Sequence, residues 1–160
     1  MVFSFFKKGK LQIISPVTGN IIPLEEVPDP VFSQKMMGEG IAVIPTAGDI
    51  YAPVNGTIIL TAATKHAVGI RAEDGTEILI HIGLETVALN GKGFKLAVQE
   101  GEKIAVGQLL IEVDWEYIEA NAKSKITPIV ITNSQELRKK FTLTEEENAV
   151  QGETVIISCT

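Results

Sequence analysis

The sequence predicts an all-β fold, an antiparallel β-sandwich or barrel with only minor short helices, and three observations carry that expectation. Short runs rich in Ile and Val recur about every ten residues, separated by Gly, Pro, Asn and Asp, a spacing that suits sandwich and barrel strands. Helical periodicity is convincing in only one segment. The stretch Ser15-Pro16-Val17-Thr18-Gly19-Asn20-Ile21 returns as Ala52-Pro53-Val54-Asn55-Gly56-Thr57-Ile58, as expected of two similar halves stacked around one core.

Strands are expected first at residues 11–14, before the Ser15-Pro16 break, and at 20–22, after the Gly19 turn. A short helical turn is expected at 30–36, where Pro30 opens it. Strands at 40–44, 57–61 and 67–71 follow, the second of them entered from Asn55-Gly56, a turn dipeptide. The run 77–82 comes after Asp74-Gly75, and 108–113 after Gly107. The helical segment is 115–122, with Asp114 placed to cap its first turn. Strands at 129–131 and 154–158 complete the series. A fainter echo matches Val150-Gln151-Gly152-Glu153-Thr154 to the first half of the segment Glu100–Leu110.

The 160 residues fit a single domain over 11–160, preceded by a flexible or surface-associated leader at 1–10. Lys and Arg number 14 against 20 Asp and Glu, and the net charge of −6 argues against binding nucleic acid and suits a partner with a basic face. The single cysteine, Cys159, allows no internal disulfide and no thiolate zinc cluster, which fits a reducing compartment. No run approaches the ~18 apolar residues of a membrane span, so a cytoplasmic protein is expected. In the leader, Phe3, Phe5 and Phe6 precede Lys7 and Lys8, a combination suited either to weak contact with an anionic membrane surface or to folding onto the domain.

The candidate chemistry lies in the two histidines, His66 and His81. In an extended run 77–82, Ile78, Ile80 and Ile82 share one face, which must be core, and Leu79 and His81 share the other. His81 therefore faces solvent or a shallow cleft. A carbonyl of the following Gly83-Leu84-Glu85-Thr86 turn can accept from its Nδ1–H and leave Nε2 as nucleophile or ligand. Thr64, two residues before His66, would share its face in an extended strand and can orient the second ring. From the residues alone, the pair fits a nucleophilic site, a metal site or two unrelated half-buried side chains. A catalytic zinc usually takes three protein ligands, and there is no third histidine.

Several ordered blocks resemble the glucose-type enzyme IIA family of the bacterial phosphoenolpyruvate-dependent sugar phosphotransferase system. They include Ser15-Pro16-Val17-Thr18-Gly19, Glu26-Val27-Pro28-Asp29-Pro30-Val31-Phe32, Met37-Gly38-Glu39-Gly40, Ala52-Pro53-Val54-Asn55-Gly56-Thr57, Thr64-Lys65-His66-Ala67, Ile80-His81-Ile82-Gly83-Leu84-Glu85-Thr86-Val87 and Thr127-Pro128-Ile129-Val130-Ile131-Thr132-Asn133. The resemblance implies an antiparallel sandwich with a duplicated hybrid motif. It implies a phosphocarrier, a phosphotransferase component, that takes a phosphoryl group from the histidine phosphocarrier protein HPr and passes it to a cysteine on the IIB domain of a sugar permease. On that pattern His81 carries the group on Nε2, His66 stabilises it, Thr64 orients His66, and the Gly83 carbonyl holds Nδ1–H of His81. An apolar rim for partners is expected from Val31, Phe32, Met36, Met37, Val68 and Leu79, with Asp29 and Glu85 meeting basic side chains of HPr. No cofactor is required. In some relatives the unphosphorylated domain inhibits permeases or a kinase, and the two histidines complete a zinc site with a partner carboxylate, which makes His66 and His81 candidate regulatory zinc ligands. The chain departs from the family pattern with Glu85 where Asp is familiar, and with Ala62, Val68 and Leu79 at positions that are aromatic in some relatives.

Two other classes compete. A zinc hydrolase of the peptidoglycan-cutting type would need a further ligand. A biotinyl or lipoyl carrier would present a modified lysine at a hairpin tip, and Lys35-Met36-Met37 resembles that motif but falls in an expected helical turn.

Overall fold

A computed structural model describes residues 10–160, so Phe3, Phe5, Phe6, Lys7 and Lys8 of the leader lie outside the described residues. Among the described residues the fold is built from antiparallel strands with short helical segments. The strands are β1 (Leu11–Ile14), β2 (Thr18–Pro23), β3 (Glu39–Ala47), β4 (Ile50–Tyr51), β5 (Gly56–Thr61), β6 (Ala67–Ala72) and β7 (Glu77–His81). They continue with β8 (Phe94–Leu96), β9 (Lys103–Ile104), β10 (Leu109–Val113), β11 (Thr127–Ile131), β12 (Phe141–Leu143), β13 (Asn148–Ala149) and β14 (Val155–Cys159). An eight-stranded sheet runs β13-β2-β3-β11-β7-β6-β5-β9, and two three-stranded sheets run β1-β14-β12 and β4-β10-β8.

The order of the large sheet is palindromic in kind. From either end a two-residue strand covers the first strand of a hairpin, β13 on β2 and β9 on β5, and the central β11 and β7 pair with each other. The small sheets correspond as well: Ile13 pairs with Ile157 and Ile50 with Ile111, each beside a register shift. Two hydrogen bonds exchange roles between the halves, Ile14 N–H to the Pro53 carbonyl at 3.0 Å and Tyr51 N–H to the Pro16 carbonyl at 2.9 Å. The Pro-containing echo thus marks a pseudo-two-fold duplication. The fainter echo is corrected: Gly152 N–H donates to Ser15 as Gly107 N–H donates to Ala52, so the tail repeats the Gly107 turn and not the Gly101 turn. Glycine is needed at both Gly19 and Gly56, because a Cβ there would lie 2.1 Å from the Ile44 carbonyl oxygen and 2.3 Å from that of Arg71.

The main core lies under the inward faces and contains Ile13, Ile50, Ile78, Ile80, Ile82, Ile129, Ile131 and Ile157. A second cluster covers the opposite face of the central strands, where Leu24, Val27 and Phe32 from the β2–β3 connection pack on Ala42, Ala67, Leu79 and Val130. Burying that outer face is what turns the strand ends near β7 into a walled site. The helix spans Trp115–Asn121, and the Asp114 carboxylate accepts from Tyr117 N–H as a cap. The expected 30–36 turn closes earlier, as Pro30–Ser33, with the Asp29 side chain accepting from Val31 N–H. None of the described helices is long and apolar enough to cross a membrane.

Candidate functional site

Strand β7 delivers His81 to the covered face at its last residue, opposite Ala67 at the first residue of β6. Ile82 N–H donates to the His66 carbonyl at 2.7 Å, which fixes the backbone of one histidine against that of the other. The two rings meet edge to face with centroids 4.9 Å apart. The Nδ1 of His81 lies 2.8 Å from the Gly83 carbonyl oxygen, and the Nδ1 of His66 lies 2.6 Å from Thr64 Oγ1. Each imidazole is therefore tied through Nδ1, and Nε2 of each is left for chemistry.

Thr64 reaches its partner by a route different from the one expected. It does not lie in an extended strand. Ala62 to Lys65 form a turn in which Lys65 N–H donates to the Ala62 carbonyl, and Lys65 takes a left-handed conformation with φ 59°. Such a conformation is costly for a residue with a side chain and persists where the surroundings demand it.

Burial disfavours the imidazolium at both rings. His66 is pushed down to about 4 by burial first and by the neighbouring His81 second. His81 is also lowered by burial, against the opposing pull of the Gly83 carbonyl and the negative charge of Asp29. Both rings are thereby biased toward the neutral form.

A shallow depression of about 280 Å³ opens beside His81, lined by Asp29, Val31, Phe32, Met37, Glu85, Thr86 and Val87. The Phe32 ring packs on the His81 ring with centroids 5.1 Å apart. Val31 and Met36 are exposed, Met37 and Asp29 are half-buried, and Glu85 is exposed. Val68 does not belong to this rim. It pairs with Ile80 and points into the main core, fully buried, because its parity on β6 is opposite to that of Ala67. Leu79 and Phe32 are buried too and form the floor and wall of the site.

Sequence reasoning missed Val87, an exposed apolar side chain in the depression, and Thr86, a buried hydroxyl at its wall. It also missed Lys123, whose Nζ donates to the Pro28 carbonyl at 3.0 Å and steadies the loop that carries Asp29. Lys35 is ion-paired at 3.3 Å to both Glu25 and Glu39, unlike a lysine held out for modification. Among the described residues no three His, Cys, Asp or Glu side chains cluster to hold a metal ion, and the two imidazoles supply two donors where a protein-bound zinc takes three or four. A larger hollow of about 440 Å³ between Ile21 and Glu145–Glu147 is lined by carboxylates, Thr144 and apolar groups and includes neither histidine.

Residues 11–137 match the family model described as phosphoenolpyruvate-dependent sugar phosphotransferase system, EIIA 1. A glucose-specific EIIA component from Staphylococcus epidermidis is 47% identical over 150 residues, covering 94% of this chain and 90% of that one. A glucose-specific EIIA component from Staphylococcus aureus is 42% identical over 165 residues, covering 100% and 99%. The solved structure of glucose permease IIA from Mycoplasma capricolum superposes with a TM-score of 0.84 at 37% identity, over 93% of this chain and 95% of that one.

Proposed function

The chain belongs to the EIIA 1 family of the phosphoenolpyruvate-dependent sugar phosphotransferase system, and from that premise we propose that it is a phosphocarrier in which His81 accepts a phosphoryl group from phospho-HPr and donates it to the IIB domain of a glucose-type permease. The observation that carries this reading is the pair of imidazoles in contact, each bonded through Nδ1, at the edge of an apolar depression with carboxylates on its rim.

In the first transfer the Nε2 lone pair of His81 attacks phosphorus in line with the donor's P–N bond. The new P–N bond forms as the old one breaks, and the leaving electron pair returns to the donor imidazole. The His81 ring keeps its Nδ1 proton and gains positive charge, which the Gly83 carbonyl offsets. Thr64 donates its hydroxyl proton to Nδ1 of His66, so the neutral ring holds its own proton on Nε2 and can give it to a phosphoryl oxygen. In the second transfer the thiolate of the IIB cysteine attacks phosphorus, the P–N bond breaks, and neutral His81 is restored. Phosphoryl transfer of this kind needs positioning and charge stabilisation more than acid–base machinery.

The partner surface follows from the same depression. Val31, Met37 and Val87 line it with apolar contact, the exposed Met36 lies outside the lining next to Met37 in sequence, and Met suits a surface that must receive two partners in turn. Asp29 and Glu85, on a chain of net charge −6, steer a basic face toward His81 and favour fast, short-lived complexes. Incubation with enzyme I, HPr and labelled phosphoenolpyruvate tests the assignment. The wild-type chain is expected to take label and His81→Gln to take none, and a labelled His81→Gln chain would overturn it. His66→Gln is expected to accept phosphate but pass it to IIB about a hundredfold more slowly, the usual cost of removing one transition-state donor.

A further inference from the structure

We propose that Thr86 is a positioning residue for phosphorylation of His81, its hydroxyl fixing the turn whose Gly83 carbonyl selects Nε2 as the nucleophile; this rests on the reading of His81 as the phosphoryl acceptor. Thr86 is fully buried in the wall of the depression, and its Oγ1 donates to the Ile82 carbonyl at 2.6 Å. That carbonyl belongs to the peptide linking Ile82 to Gly83. The next peptide, Gly83 to Leu84, presents the carbonyl that faces His81 Nδ1 at 2.8 Å, and its N–H donates to the Ser124 carbonyl at 2.9 Å. Both peptide planes that meet at Gly83 are thus held, one by a side chain and one by backbone.

The pinning matters because Gly83 has φ 74°, a region in which glycine moves readily between alternatives. No other residue could take its place, since a Cβ at Gly83 would lie 2.6 Å from Thr86 Cγ2 and 2.9 Å from the Ser124 oxygen, so the turn keeps its glycine and must be held by hydrogen bonds. Ile82 N–H also donates to the His66 carbonyl, so the residue whose carbonyl Thr86 holds is the one that joins the two histidines. Loss of the hydroxyl leaves that carbonyl buried without its donor, a state costly enough to turn the peptide. Because the two peptides share the Gly83 Cα, a turn of the Ile82–Gly83 peptide tilts the Gly83 carbonyl off Nδ1–H against the single remaining Leu84 N–H bond to Ser124, and the imidazole proton is then free to move to Nε2, which blocks attack.

The experiment compares wild type, Thr86→Val and Thr86→Ser in two ways, by the imidazole nitrogen resonances of His81 and by single-turnover acceptance of label from phospho-HPr. Wild type and Thr86→Ser are expected to hold the His81 proton on Nδ1. Thr86→Val, which keeps the shape and loses the donor, is expected to show the Nε2–H tautomer alongside it and to lose about tenfold in the maximal single-turnover rate, with the half-saturating concentration of phospho-HPr little changed. Thr86→Ala gives the same comparison should the valine chain fail to fold. A single Nδ1–H tautomer with an unchanged rate in the variants lacking the hydroxyl would overturn the proposal, as would a Thr86→Ser chain as impaired as Thr86→Val. Label on a residue other than His81 in wild type would instead overturn the reading beneath it, while the tautomer measurement still decides on Thr86.

Discussion

His66 is a buried base held neutral, and its protonation has a consequence for stability. Its folded value of about 4 lies below its ordinary 6.5, so between those limits the unfolded chain binds a proton that the folded chain does not. Stability from this residue is complete above the unfolded value and is lost as pH falls toward 4, by about 3 kcal/mol in all. Urea unfolding from pH 7 to 4.5 should therefore show a steeper loss for wild type than for His66→Gln; equal slopes would contradict the burial argument. The position of His81 was legible from the sequence because strand side chains alternate, and three isoleucines at 78, 80 and 82 leave one face for the histidine. Thr64 was legible as a partner of His66 but not by its route, since a left-handed Lys65 has no distinctive residue type to announce it. Val68 was misread because parity on β6 follows from its pairing with β7, a contact between residues distant enough in sequence that no local pattern states it.

At the level of elements, the turn after β7 makes the site, and Gly83 is its tightest point. Gly83→Ala would place a methyl against Thr86 and the Ser124 carbonyl at a positive φ, at a cost of about 3 kcal/mol. Chemical denaturation should show the loss, and a variant as stable as wild type would mean that the loop relaxes freely. The helix cap at Asp114 is a milder test: Asp114→Ala should cost about 1 kcal/mol in the same assay. The nine longer strands and the helix could be read from apolar runs and Gly or Pro boundaries. β4, β8, β9, β12 and β13 span two or three residues each, too short to show a period, and exist because a partner strand elsewhere in the chain pairs with them. The β2–β3 connection was equally hard to place. Its Leu24, Val27 and Phe32 are ordinary apolar residues in sequence, and only the fold shows that they cover the outer face and wall the histidines.

In the whole molecule, the pseudo-two-fold duplication builds one eight-stranded and two three-stranded sheets around a shared core, and the candidate site sits where its two halves differ. One hairpin turns tightly and carries Thr64 and His66, while its counterpart opens into the long connection that bears Asp29, Val31 and Phe32. Cys159 on β14 reports on the integrity of this shell. Burial pushes its thiol up to about 11, with Asp74 adding to the rise and Lys139 opposing it. It should resist a thiol reagent at pH 8 and react with denaturant in step with unfolding; rapid labelling of the native protein would mean that the C-terminal sheet opens on its own. The Pro-containing echo made the duplication visible in the sequence, whereas the second echo was matched to the wrong glycine because Gly turns are common and only hydrogen bonding distinguishes Gly107 from Gly101. The central claim is that one nitrogen of one residue carries the phosphoryl group. Phosphorylation through enzyme I and HPr, followed by phosphorus and nitrogen magnetic resonance on the intact chain, tests it most directly. The account predicts a P–N bond to Nε2 of His81, with the ring's remaining proton on Nδ1. A phosphoryl group on His66, or on Nδ1 of His81, would contradict it.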